Sequence, residues 1–199
     1  GIGTGFGVTK NGLIMTKMHV VSPYFSKIAS RISAPNTFEY VNGETIEVVI
    51  SLITKAGATY TATIVGGSPN DVNDLALLRI NNASGEFPIL DLSDRPTRYD
   101  RVVTIGNPFN ITYTVGEGII STLERTVRGR RLIQTTALMA PGSSGGPIIL
   151  RRDHQGIGMM DSIFAVSAST PVGLGFGTPA SMLRSFLKTE LLRLSNEGR

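Results

Sequence analysis

The chain reads as an all-β protein built in two halves, with one helix at its C-terminal end. Three observations predict this. Gly is abundant, 23 in 199 residues, while helix-period segments are few. Short apolar or alternating runs recur with turn signals between them, the pattern of sandwiches and barrels. A polar, turn-rich stretch, DLSDRPTRYD (91–100), divides these runs into two sets of similar size.

The runs can be taken in order. GTGFGVT and GLIMTK flank Lys10-Asn11-Gly12, and Asn-Gly is a strong hairpin signal. TIEVVISLI and ATYTATIVG flank Lys55-Ala56-Gly57 and predict a second hairpin. DLALLRI is a short apolar strand. After the connector come RVVTIG, TYTVGEGIIST, RLIQTTAL, GPIILRR, GIGMMDSIFAVSA and GLGFGTP. Two helices are predicted. One is a short turn, PYFSKIASR, after Val20-Val21. The other is PASMLRSFLKTELLRLSNEG, where Met182, Leu183, Phe186, Leu187 and Leu191 recur at helical spacing and Gly198 suits a terminator. That apolar stripe predicts a helix docked on its own domain. The expected organisation is residues 1–90, a connector 91–100, residues 101–180, and a terminal helix 181–199.

Bulk composition excludes several classes. With 41% hydrophobic and 17% charged residues, the chain can bury a core and is not disordered. The net charge of +4 is scattered, apart from LERTVRGRRL and Arg151-Arg152. No aromatic residues interleave there to stack bases, so the basic run reads as a solvated loop between strands and no nucleic-acid partner is expected. There is no Cys, which excludes disulfides, thiolate catalysis and Cys-based zinc sites. No metal and no cofactor are expected. No stretch reaches the apolar length of a membrane span, and no signal peptide is visible. Gly1 is not an initiator Met, which fits a processed or excised chain.

PGSSGGPIIL (141–150) carries the chemistry. It places two serines on a glycine-hinged bend just before an apolar strand. On its own this is also an ordinary loop. Of the two histidines, His154 lies in a polar turn, whereas His19 ends the apolar run LIMTKMHVV, where a lone histidine is more often a satisfied core residue. Asp74 immediately precedes an apolar strand, where a carboxylate at the core's edge can orient an imidazole or simply cap the strand start; Asp71 reads as a turn residue. The chain order His19, Asp74, Ser144 draws two groups from the first half and one from the second. It is the order of the chymotrypsin-type triad, with the site in the cleft between halves.

Five ordered stretches carry a family resemblance: GIGTGFGVTKNGLIMTKMHVV, DLALLRI, VVTIGNPFNITYTVGEGIIST, LIQTTALMAPGSSGGPII and GLGFGTPASML. Together they resemble the trypsin-like serine proteases of the HtrA/Deg group, in register over nearly all of residues 1–185. The resemblance implies two antiparallel six-stranded β-barrels with a C-terminal helix. It implies a serine endopeptidase acting on protein or peptide substrates, with His19, Asp74 and Ser144 catalytic. It also implies an oxyanion hole from the Gly142 and Ser144 amides, while Ser143 occupies the variable position. An extracytoplasmic location is favoured by the resemblance alone. The group is usually trimeric, but through segments N-terminal to the barrel that do not appear here, so a homo-oligomer stays open. No PDZ domain follows, which fits a cut or a stand-alone protease domain.

Specificity and departures complete the reading. Leu138 stands six positions before Ser144, where trypsin has Asp, so a preference for basic residues is not expected. Leu138, Met139, Met159, Met160 and Asp161 match positions near the substrate, implying an aliphatic residue before the scissile bond; the methionines equally suit a core. Thr136 and Ala140 replace the Asp and Asn usual in the group. The stretch Ser22–Glu44 is longer than the usual link and is either a substrate or partner element or a tolerated insertion. Two other functions compete: a dedicated protease for a viral-type polyprotein or other precursor, and a non-catalytic binding module of the same fold.

Overall fold

The structure, a computed structural model, describes residues 3–21, 47–50, 58–67, 72–111, 113–127, 129–167 and 170–197. The helix expected at PYFSKIASR, the Ser22–Glu44 stretch, the Lys55–Gly57 turn, Asp71, Arg128 and Gly198 lie outside them.

Five strands form the first sheet: β1 (Gly5–Thr9), β2 (Leu13–Lys17), β3 (Glu47–Ile50), β4 (Tyr60–Gly67) and β5 (Leu75–Ile80). Their order is β1-β2-β5-β4-β3. A sixth strand in this half is not among the described residues. Six more strands follow: β6 (Arg101–Gly106), β7 (Thr114–Val127), β8 (Arg130–Thr135), β9 (Pro147–Leu150), β10 (Gly156–Ser167) and β11 (Thr170–Pro179). They close into a barrel in the order β10-β11-β8-β7-β6-β9. Helix α1 (Ala180–Glu197) ends the described chain. The chain is thus mostly β-strand with one C-terminal helix.

Local chemistry accounts for these elements. β1 and β2 pair antiparallel around a turn in which Gly12 takes φ +85. β2 and β5 are adjacent, in register from Leu13↔Arg79 to Lys17↔Leu75. Their near-continuous apolar runs are buried on both faces. Ile14, Ala76, Leu78 and Ile80 point into the first sheet's core with Met18, Ile64 and Phe87. Met15 and Leu75 point the other way, to a cluster with Phe6, Met159 and Leu183. That second cluster joins the two halves and seats α1, with Phe186 and Leu187 packed against it. The barrel has its own core of Val102, Ile120, Ile133, Ile148, Leu150, Ile157 and Met160.

Two boundaries differ from the sequence reading. β7 runs on to Val127 and pairs with β8 as far as Val127↔Arg130, so the basic run is largely a hairpin rather than a free loop. β2 stops at Lys17, and residues 18–21 are helical, so His19 follows the strand instead of ending it. The Met18 amide continues the β2–β5 register by donating to Asp74 O at 3.0 Å, and the helical turn follows directly.

Candidate active site

His19 and Asp74 meet at the ends of adjacent strands. The His19 main-chain amide donates to Asp74 Oδ1 at 2.8 Å, and His19 Nδ1 lies 2.6 Å from Asp74 Oδ2. One carboxylate thus holds both the backbone and the ring of the same histidine, through charge-assisted bonds. The His19 side chain is half exposed and that of Asp74 is 23% exposed, so the ring faces solvent while its partner is shielded. Asp74 adopts φ +56, a left-handed conformation uncommon outside glycine. No sequence feature signalled that.

Ser144 arrives from the barrel half. Its turn is built on two glycines, Gly142 at φ +98 and Gly145 at φ +88. A Cβ on Gly145 would be driven into Thr4 O and Thr16 Oγ1, with Lys17 N close by, so only glycine lets the turn press against the end of β2. That is the strand end from which His19 follows two residues later. The Thr4 amide ties the turn down by donating to Ser144 O at 2.9 Å, and Thr4 Oγ1 donates to Gly142 O at 2.9 Å. Ser144 Oγ donates to the main-chain oxygen of Asp161 at 3.0 Å.

The amides of the turn are sorted by direction. The Ser143 amide folds back onto Ala140 O at 2.9 Å, and the Gly145 amide donates to Met160 O at 2.9 Å. Those of Gly142 and Ser144 have no acceptor among the described residues. The Phe109 amide donates to Pro141 O at 2.9 Å. In a trans peptide the N–H points opposite to the C=O, so this bond turns the Gly142 N–H away from Phe109.

The remaining predicted residues fall in different environments. Leu138 is 60% exposed. Met139 and Met160 pack in the barrel core, and Met159 in the cluster between halves. Asp161 has its side chain buried against Lys17, Arg130 and Thr178. Ser143 is buried, and Thr136 Oγ1 accepts from the Ile119 amide at 3.0 Å. His154 is exposed in a turn at φ +60. Among the described residues there is no cluster of three or more His, Asp or Glu able to hold a metal. No described helix is long and apolar enough to cross a membrane.

Sequence reasoning missed Lys17 and Arg130. Lys17 is fully buried, and burial pushes its ammonium below the ordinary value of 10.5, which Asp161 only partly offsets. Burial alone would raise the Asp161 carboxyl, but Lys17 and Arg130 against it hold it below 3.8. No local sequence feature separates Lys17, at the end of LIMTK, from an ordinary surface lysine.

This geometry defines a class: a two-part β fold with a histidine–carboxylate pair on one half and a glycine-hinged serine turn on the other. Residues 3–159 match the trypsin-like peptidase domain family, and the chain belongs to it. The chain is 33% identical over 186 residues to a probable periplasmic serine endoprotease DegP-like of Chlamydia muridarum, covering 92% of this chain and 32% of that protein. It is 33% identical over 196 residues to the serine protease HTRA1 of Xenopus tropicalis, covering 93% and 35%. The fold matches the HtrA-type protease AlgW with decapeptide at a TM-score of 0.72 and 26% identity, over 96% of this chain and 51% of that one. These relatives group the chain with the HtrA-type serine proteases. The chain spans about a third of the length of the two curated relatives.

Proposed function

We propose that this domain is a serine endopeptidase working through His19, Asp74 and Ser144. The observation that carries the reading is the double grip of Asp74 on His19, at 2.8 and 2.6 Å, beside a serine turn pressed onto the same strand end. With its Nδ1 proton donated to Asp74, His19 keeps Nε2 free of a proton and able to accept one. Ser144 Oγ leaves Asp161 O, gives its proton to Nε2 and attacks the substrate carbonyl carbon. Asp74 stabilises the imidazolium. The Gly142 and Ser144 amides receive the oxyanion, each donor of this kind being worth about 3–4 kcal/mol. Collapse passes the proton from Nε2 to the leaving amine and leaves an acyl-enzyme, which water hydrolyses by the same route.

A peptide substrate is supported by the peptide named with the HtrA-type neighbour. Leu138, exposed beside the turn, and Met139 suit an apolar pocket for an aliphatic residue before the scissile bond, with Met160 behind. Met159 and Asp161 turn their side chains inward, so that stretch would meet substrate through its main chain. An extracytoplasmic site of action is proposed from the relatives described as periplasmic. The first sheet is read as the other barrel of the fold.

Labelling with a fluorophosphonate probe tests the reading. Wild type is expected to label, and Ser144→Ala and His19→Ala are not. A wild type that neither labels nor cleaves peptides would leave a binding module of this fold.

A further inference from the structure

Behind the candidate triad lies a buried ionic cluster that the mechanism above does not use. Lys17 Nζ donates to Asp161 Oδ2, to Thr178 Oγ1 at 2.7 Å and to Asn73 O at 3.3 Å, which occupies all three of its protons. Arg130 donates to both Asp161 oxygens, with NH1 to Oδ1 at 2.9 Å, and NH2 also reaches Asn73 O at 3.2 Å. Thr178 Oγ1 donates to Asp161 Oδ2 at 3.1 Å. Lys17 belongs to β2 and Asn73 precedes β5 in the first half, whereas Arg130, Asp161 and Thr178 come from β8, β10 and β11 of the barrel.

The cluster is linked to each of the three catalytic candidates by a different route. Lys17 stands two residues before His19. Asn73 O, which accepts from both cations, belongs to the peptide that enters Asp74. Asp74 sits at φ +56, and two charged donors on the preceding carbonyl restrict the orientation of the peptide that enters it. Asp161 O takes the Ser144 hydroxyl at 3.0 Å. Stability alone gives a weak reason for such a cluster, because buried ion pairs are often replaced by apolar side chains without loss. Their directional bonds give a stronger one.

We infer that Lys17, Asp161 and Arg130 are positioning residues that hold the His19–Asp74 pair and Ser144 in register across the two halves. This inference rests on the peptidase reading for its kinetic consequence but not for its geometric one. The test uses Lys17→Met and Arg130→Gln, with Arg130→Lys as the conservative variant. Two readouts are followed on folded protein well below each melting temperature. The first is the low-field proton resonance of His19 Nδ1–H, which reports the bond to Asp74 without requiring activity. The second is kcat and KM on a fluorogenic peptide.

Lys17→Met is expected to broaden or shift the resonance and to lower kcat about tenfold to a hundredfold, the scale of a sub-ångström misplacement, with KM within about twofold. Arg130→Gln should do the same to a smaller extent, and Arg130→Lys should recover part of it. Folded variants with an unchanged resonance and unchanged kcat would overturn the inference, as would a loss of kcat that merely tracks the unfolded fraction. If Lys17→Met does not fold, Arg130→Gln decides, since that side chain is 20% exposed. If wild type neither labels nor cleaves, yet the resonance responds to the cluster variants, the peptidase reading fails and the positioning role stands.

Discussion

Asparagine at Asp74 keeps the size of the side chain and removes the charge and one acceptor. Both carboxylate oxygens are committed, Oδ1 to the His19 amide at 2.8 Å and Oδ2 to His19 Nδ1 at 2.6 Å. An asparagine can satisfy the backbone amide with its Oδ1, and its NH2 then faces the ring. Two donors cannot share that contact, so the ring must carry its proton on Nε2 and accept at Nδ1. In that tautomer Nε2 cannot take the proton of Ser144. The same substitution in a serine protease triad costs on the order of 10⁴ in kcat. Four decades correspond to about 5 kcal/mol of barrier. Folding should change far less, by about 1–3 kcal/mol for the altered charged hydrogen bonds. The assay is steady-state cleavage of a fluorogenic peptide beside urea unfolding of Asp74→Asn and wild type. A variant whose kcat stays within about tenfold of wild type would refute the assignment of Asp74 as the group that sets the tautomer.

Two further expectations concern stability. Leu183 is fully buried between the halves, packed with Met15, Leu75 and Met159, so Leu183→Ala should destabilise by about 2–5 kcal/mol, read from the urea midpoint. The pH dependence follows from Asp161. Its native carboxyl titrates below 3.8, so above 3.8 it is ionised in both folded and unfolded chains and its stabilisation is fully present. As pH falls below 3.8 the unfolded chain takes the proton first, and stability is lost down to the depressed native value. Wild type should therefore lose stability over that window, and Asp161→Asn should show a shallower acid slope in urea midpoints taken against pH.

Much of this protein was legible in the residue order because it depends on local chemistry. The apolar runs LIMTK and LALLRI marked strands, and the structure places them between the first sheet's core and the cluster that joins the halves. Asn11-Gly12 marked a hairpin because it favours the turn that only a few residues adopt. His19, Asp74 and Ser144 could be singled out because each residue type stands at a punctuation point: a strand end, a strand start, a glycine-hinged bend. What the tertiary structure alone decided is what lies between them. Lys17 reads as an ordinary surface residue until the barrel half brings Asp161 against it from 144 positions away. Arg130 sits in a run that reads as solvated, yet the β7–β8 hairpin carries it inward to the same carboxylate. The φ of Asp74 and the direction of the Gly142 amide likewise go with contacts from residues distant in sequence, the cations on Asn73 O and the Phe109 amide on Pro141 O. Periodicity and turn propensity act within a few residues. Burial of a charge and the aim of a peptide are settled only when two halves of the chain close on each other.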